Sequence, residues 1–128
     1  MSYYFSKMLE ADFAAALVRV RDALKEEGFG VISEIDVRAI LKAKLDVEFR
    51  PYVILGACDP TTAHAALALD DKIGTLLPCN VVIQELGDGL TEVAAIDPVA
   101  SMRAASSPQL LDMAKAVAAR LQAVINSV

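Results

Sequence analysis

Three times in this chain a capping residue stands directly before a proline: Asp59-Pro60, Asp97-Pro98 and Ser107-Pro108. Asp and Ser favour the position before a helix, because a side-chain oxygen there accepts from a free backbone N–H of the first turn. Proline favours the next position, where its missing N–H costs nothing and its φ is already helical. Each pair therefore predicts a helix start. The first two follow directly on the apolar runs Pro51–Cys58 and Leu90–Ile96, so an extended segment must give way to a helix at a fixed residue.

The remaining segments fall between these marks. Tyr3–Leu9 is aromatic and apolar and predicts a first strand. From Glu10 to Glu27 the pattern turns helical, with Phe13, Leu17, Val20 and Leu24 in one stripe and Gly28 placed to end it. Gly30–Asp36 predicts a second strand, after which Asp36 caps a short helix containing Val37, Ile40 and Leu41. Pro51–Cys58 reads as a buried strand, and the helix after Asp59-Pro60 carries Ala63, Ala66 and Leu67 inward and ends before Gly74. Cys79–Leu86 and Leu90–Ile96 flank Gly87-Asp88-Gly89 and predict a hairpin, with a bulge allowed. In the last helix Leu110, Ala114, Val117, Leu121 and Val124 make a long apolar stripe. The expectation is one α+β domain spanning 1–128. It has a curved, largely antiparallel five-stranded sheet, two long amphipathic helices packed on one face, and shorter helices in the connections.

A chain of 128 residues buries about two thirds of its unfolded surface, enough for a core without metal or disulfide staples. The formal net charge of −5, with no long basic stretch, argues against nucleic acid and against an anionic membrane surface. The N-terminal residues lack the basic-then-apolar order of a signal peptide, and no apolar run approaches the ~20 residues of a membrane helix. The expected location is the cytoplasm, where a structural disulfide is not expected.

Several segments together resemble a known family. They are Gly28-Phe29-Gly30-Val31, Glu34-Ile35-Asp36-Val37, Phe49-Arg50-Pro51-Tyr52, Leu55 through Pro60, Gly74, Leu76 through Val82, and Asp97-Pro98. Across nearly the whole chain the sequence resembles the bacterial and archaeal domain-of-unknown-function family numbered three hundred and two. The resemblance implies a small α+β fold with a curved sheet, similar to the TATA-binding-protein arrangement. It implies no activity. It favours antiparallel neighbours for the two cysteine-bearing strands, which brings both thiols to one sheet edge. Asp59 stands where the family more often has Asn.

Cys58 and Cys79 are the only thiols and both lie at strand–turn junctions. Cys58 precedes a predicted helix start, whose partial positive charge favours a thiolate. Asp59 and the apolar run Val53–Ala57 favour the neutral thiol, as does a plain buried role for cysteine. His64 is the only histidine, so neither a zinc set nor a serine triad is expected, and no metal or cofactor is implied. Glu34, Lys42 and Arg50 belong to a charged band between two apolar strands and would supply acid–base or anion chemistry if they converged. Phe49 and Pro51 hold Arg50 against apolar neighbours, where it can anchor a carboxylate from a ligand or from Glu34.

The leading expectation is a non-catalytic binding or interaction module, taking a small apolar ligand or a protein partner and acting as a homodimer. A thiol-dependent redox or sulfur-handling protein using Cys58 and Cys79 is the second. An enzyme built on Glu34, Lys42 and Arg50 is the third.

Overall fold

The computed structural model describes residues 2–105 and 107–128. Five strands, β1 (Tyr4–Leu9), β2 (Gly30–Asp36), β3 (Tyr52–Cys58), β4 (Cys79–Gly87) and β5 (Leu90–Ile96), form one antiparallel sheet in the order β1-β5-β4-β3-β2. The helices are α1 (Phe13–Glu26), α2 (Val37–Leu45), α3 (Pro60–Leu69), α4 (Pro98–Ser101) and α5 (Pro108–Ser127). Short 3-10 turns lie at Ile73–Leu76 and Met102–Ala104.

The three cap–proline pairs do what their chemistry dictates. Asp59, Asp97 and Ser107 each accept from a backbone N–H of the following turn, and Pro60, Pro98 and Pro108 open the three helices. The β4–β5 hairpin carries the bulge, a register shift between Glu85 and Gly87. A second shift between Val31 and Ser33 bends β2, the edge strand, and bulged edges resist pairing with foreign strands.

Alternation sends Val53, Leu55, Val81, Ile83 and Val93 to the same face, where all are buried. Helices α1 and α5 cover that face. From α1 come Ala16, Val20 and Leu24, and from α5 come Leu121, Val124 and Ile125. Burying each larger aliphatic side chain contributes about 1.5–3 kcal/mol before its entropy cost. Thr91 is the one buried polar residue among the described residues, and its hydroxyl donates to the Ala11 carbonyl at 2.9 Å. A second, smaller cluster joins Ala66, Ile73, Met102, Leu110 and Ala114 at one end of the sheet.

No residue of α2 is buried. One expectation fails. Leu67 points outward, 44% exposed, because α3 meets the rest of the protein on a narrow face centred on Ala66. Lys7 on β1 donates its ammonium to the Asn126 and Val128 carbonyls at 3.3 and 2.6 Å, placing a cation where the α5 dipole is negative. Among the described residues no helix is long and apolar enough to cross a membrane.

Candidate functional site

The site forms where β3 ends and α3 begins. Strands β3 and β4 run antiparallel, with Ala57 opposite Cys79 and Gly56 opposite Asn80. Asp59 then caps α3: one carboxylate oxygen accepts from the Thr61 N–H at 3.2 Å, and the other from the Thr62 hydroxyl at 2.7 Å. That second oxygen also accepts from Arg120 Nη1 of α5 at 2.7 Å.

Arg120 is held on three sides. Its Nε and Nη2 both donate to the Glu27 carbonyl, the Nε bond measuring 3.1 Å, and its guanidinium lies 4.6 Å from the Phe29 ring centroid. Gly28 makes this possible. At φ +85° it takes a left-handed conformation that ends α1 with a Phe29 N–H to Leu24 carbonyl bond of 2.9 Å. Arg120 thus ties the end of α1 and the start of α3 to the middle of α5. The Arg120 hydrogen bond, followed by that of Thr62, holds the Asp59 carboxyl below the usual carboxylate range.

Behind this clasp lies a cavity of about 50 Å³ with an almost wholly apolar surface. Ala57 and Cys79 bound it from the sheet, Ala63 and Ala66 from α3, and Met113 and Val117 from α5. Cys58, Met102, Leu77 and Pro78 also line it. The chain has two cysteines and four methionines, and four of these six sulfur residues line this one cavity.

Both cysteines are free. Cys79 is buried, and burial first, then the neighbouring Cys58, pushes its thiol up to about 11. Cys58 is half-buried. The expected cysteine pair is not formed. Cys79 stands opposite Ala57, while Cys58 stands opposite Gly30 in the alternate phase of β3. The thiols share a sheet end and a cavity without being brought together as a couple.

The charged band does not converge. Glu34 pairs with Arg21 of α1. Lys42 pairs with Asp46 and Glu48 at 2.8 and 3.0 Å on an exposed surface. Arg50 donates to the Gln84 side chain at 2.9 Å and stacks over the Phe49 ring at 4.4 Å. Glu34 therefore has a different partner from Arg50, and the three residues serve three separate surface contacts. His64 is exposed on α3. Among the described residues no three His, Cys, Asp or Glu side chains gather as metal ligands would.

Sequence reasoning found Cys58, Asp59 and Cys79 but missed Arg120, Met102 and Met113. On its own helix Arg120 looks like one more solvated cation. Its partners stand 61 and 93 positions away, and only the folded chain joins them.

The comparisons with known proteins agree with this architecture. No curated protein matches the chain. A solved structure, the crystal structure of an uncharacterized conserved protein from Bacillus stearothermophilus of the family DUF302, is similar at a TM-score of 0.90. The two share 26% identity, over 99% of this chain and 98% of that one. The family model described as domain of unknown function DUF302 matches residues 5–128, and the chain belongs to that family.

Proposed function

We propose that this protein is a small binding module whose ligand seats in the cavity between the β3–β4 end, α3 and α5, and that it works without catalysis. The observation that carries this reading is the cavity itself: apolar inside, and clasped on one side by Arg120 and Asp59. Its size limits the occupant. About 50 Å³ is far below the roughly 300–1,000 Å³ of sites for drug-sized molecules, so the ligand has few heavy atoms. The dispersal of Glu34, Lys42 and Arg50 weighs against an acid–base site on the surface. The reading takes the protein to act in the cytoplasm, where free thiols persist, and as a homodimer. A thiol-dependent role, redox or sulfur-handling, is the second reading, because the same cavity carries both cysteines.

Xenon enters dry apolar cavities and serves as a probe. It should raise the melting midpoint of the wild type in proportion to its occupancy. Ala63 lines the cavity from a half-buried position, so Ala63→Leu fills it with little strain elsewhere. The upshift should vanish in that variant. An equal upshift in Ala63→Leu, or none in the wild type, rejects the cavity as the binding site.

A further inference from the structure

We infer that the occupant of this cavity is a soft monovalent metal ion, copper(I) in chemical class, held by one cysteine thiolate with the thioethers of Met102 and Met113. The inference rests on the reading of the cavity as the binding site.

The donor inventory leads there. Among the groups lining the cavity, Asp59 already gives its oxygens to Arg120, Thr62 and the Thr61 N–H, and the Thr62 hydroxyl donates to Asp59. Hard cations want several free oxygens, and the Thr62 hydroxyl, which donates to Asp59 and keeps its own lone pairs, offers only one. The other unengaged side-chain donors are the sulfurs of Cys58, Cys79, Met102 and Met113. Thiolate and thioether sulfur select copper(I) over magnesium, calcium or manganese. Zinc is disfavoured too, since structural zinc sites take four Cys or His ligands and thioethers are not among them.

Charge and size agree. A monovalent ion with one thiolate is a neutral unit, and an apolar cavity accepts a neutral unit at far lower cost than a net charge. A volume of about 50 Å³ suits a single ion among large sulfur atoms. The step balances simply. A cysteine S–H bond breaks, a sulfur–metal bond forms, and the proton leaves to solvent, so one positive charge enters and one departs. No electron is transferred. Half-buried Cys58 supplies the approach from solvent, and buried Cys79 the inner wall.

Silver(I), an air-stable stand-in for copper(I), is the probe. Calorimetric titration of the full chain should show one ion bound and one proton released per chain. Met102→Leu with Met113→Leu keeps volume and removes both thioethers. It should weaken silver at least about tenfold while leaving the xenon upshift in place. At least one of Cys58→Ser and Cys79→Ser should abolish proton-coupled binding. The inference falls if the double leucine variant binds silver as tightly as the wild type, if both serine variants retain binding, or if zinc competes equally. Xenon binding without silver binding leaves the cavity reading standing and sinks the metal. Loss of both sinks both.

Discussion

Arg120 Nη1 lies 2.7 Å from Asp59 Oδ2, so the middle of the last helix is bonded to the first residue ahead of α3. The pair is only partly exposed, at 32% and 17% for the two side chains. Arg120 joins α5, α1 and α3 through these bonds, and its partner Asp59 lines the cavity.

Arg120→Ala should therefore cost more than a surface cation. It removes a charge-assisted bond to Asp59, two bonds to the Glu27 carbonyl and the packing on Phe29. We expect a loss of about 2–3 kcal/mol by urea denaturation. Arg120→Lys should recover little of it, because a single ammonium cannot reproduce the fork. A loss comparable to that of Arg19→Ala, on the exposed side of α1, would refute the clasp.

The acid limb of stability follows from Asp59. Its folded pKa lies below the ordinary value of 3.8, with Arg120 the chief cause. The native state therefore binds this proton less readily than the unfolded chain. The resulting stability is fully present above 3.8 and is lost as pH falls through the lower folded value. Asp59→Asn should flatten this part of the profile below about pH 4 and leave the neutral limb alone in slope. Parallel acid limbs in the two proteins would contradict the assignment.

Gly56 is fixed by crowding. A Cβ there would stand 2.7 Å from Pro78 Cγ and would also press on the Ser33 hydroxyl across the β2–β3 ladder. Gly56→Ala should destabilise by about 1–3 kcal/mol, although alanine suits a strand better than glycine does. A stabilised variant in chemical denaturation would show that the Pro78 ring yields.

Cys79 should alkylate slowly. Moving a thiol from its ordinary 9.0 to about 11 lowers the thiolate fraction near neutral pH about 100-fold. Burial slows access further. Iodoacetamide labelling read by mass spectrometry should show Cys79 at least about 100-fold slower in the folded protein than in urea. Its rate should still be climbing at pH 10. A rate that levels off near pH 8 would contradict this environment.

The sheet carries α1 and α5 on one face, while the other presents Tyr3 and Tyr4, 65% and 42% exposed, beside half-buried Tyr52 and Val82. We propose that a second copy covers this face. Sedimentation should give a dimer at micromolar concentration, and Tyr3→Asp with Tyr4→Asp should shift it to a monomer that keeps the native circular dichroism spectrum but no longer melts at a concentration-dependent midpoint. A wild type that sediments as a monomer at high micromolar concentration ends the proposal.

Much of the fold was legible because its signals are local. A cap beside a proline, a two-residue alternation and a glycine at a helix end each act within a few residues. They placed β2 at Gly30–Asp36 and started α3, α4 and α5 at the residues where the structure starts them. The site was legible only in part. Cys58 and Asp59 announce themselves by standing at a junction, whereas Met102 and Met113 read as ordinary apolar residues until α5 folds over the sheet end. The charged band misled for the mirror-image reason. Neighbours in sequence, Glu34, Lys42 and Arg50 found partners in or next to different elements.

The strand order also sets a timetable. Strands β2 to β5 are each hydrogen-bonded to the next in sequence, so they can pair as a meander while the chain is being made. β1 has no such neighbour. Its partner is β5, with Tyr4 meeting Ile96 and Leu9 meeting Thr91. Closing so long a loop is the slow kind of step. The earliest made of these five strands thus waits for the latest, holding Tyr3, Tyr4 and Phe5 open to whatever else is present until β5 arrives.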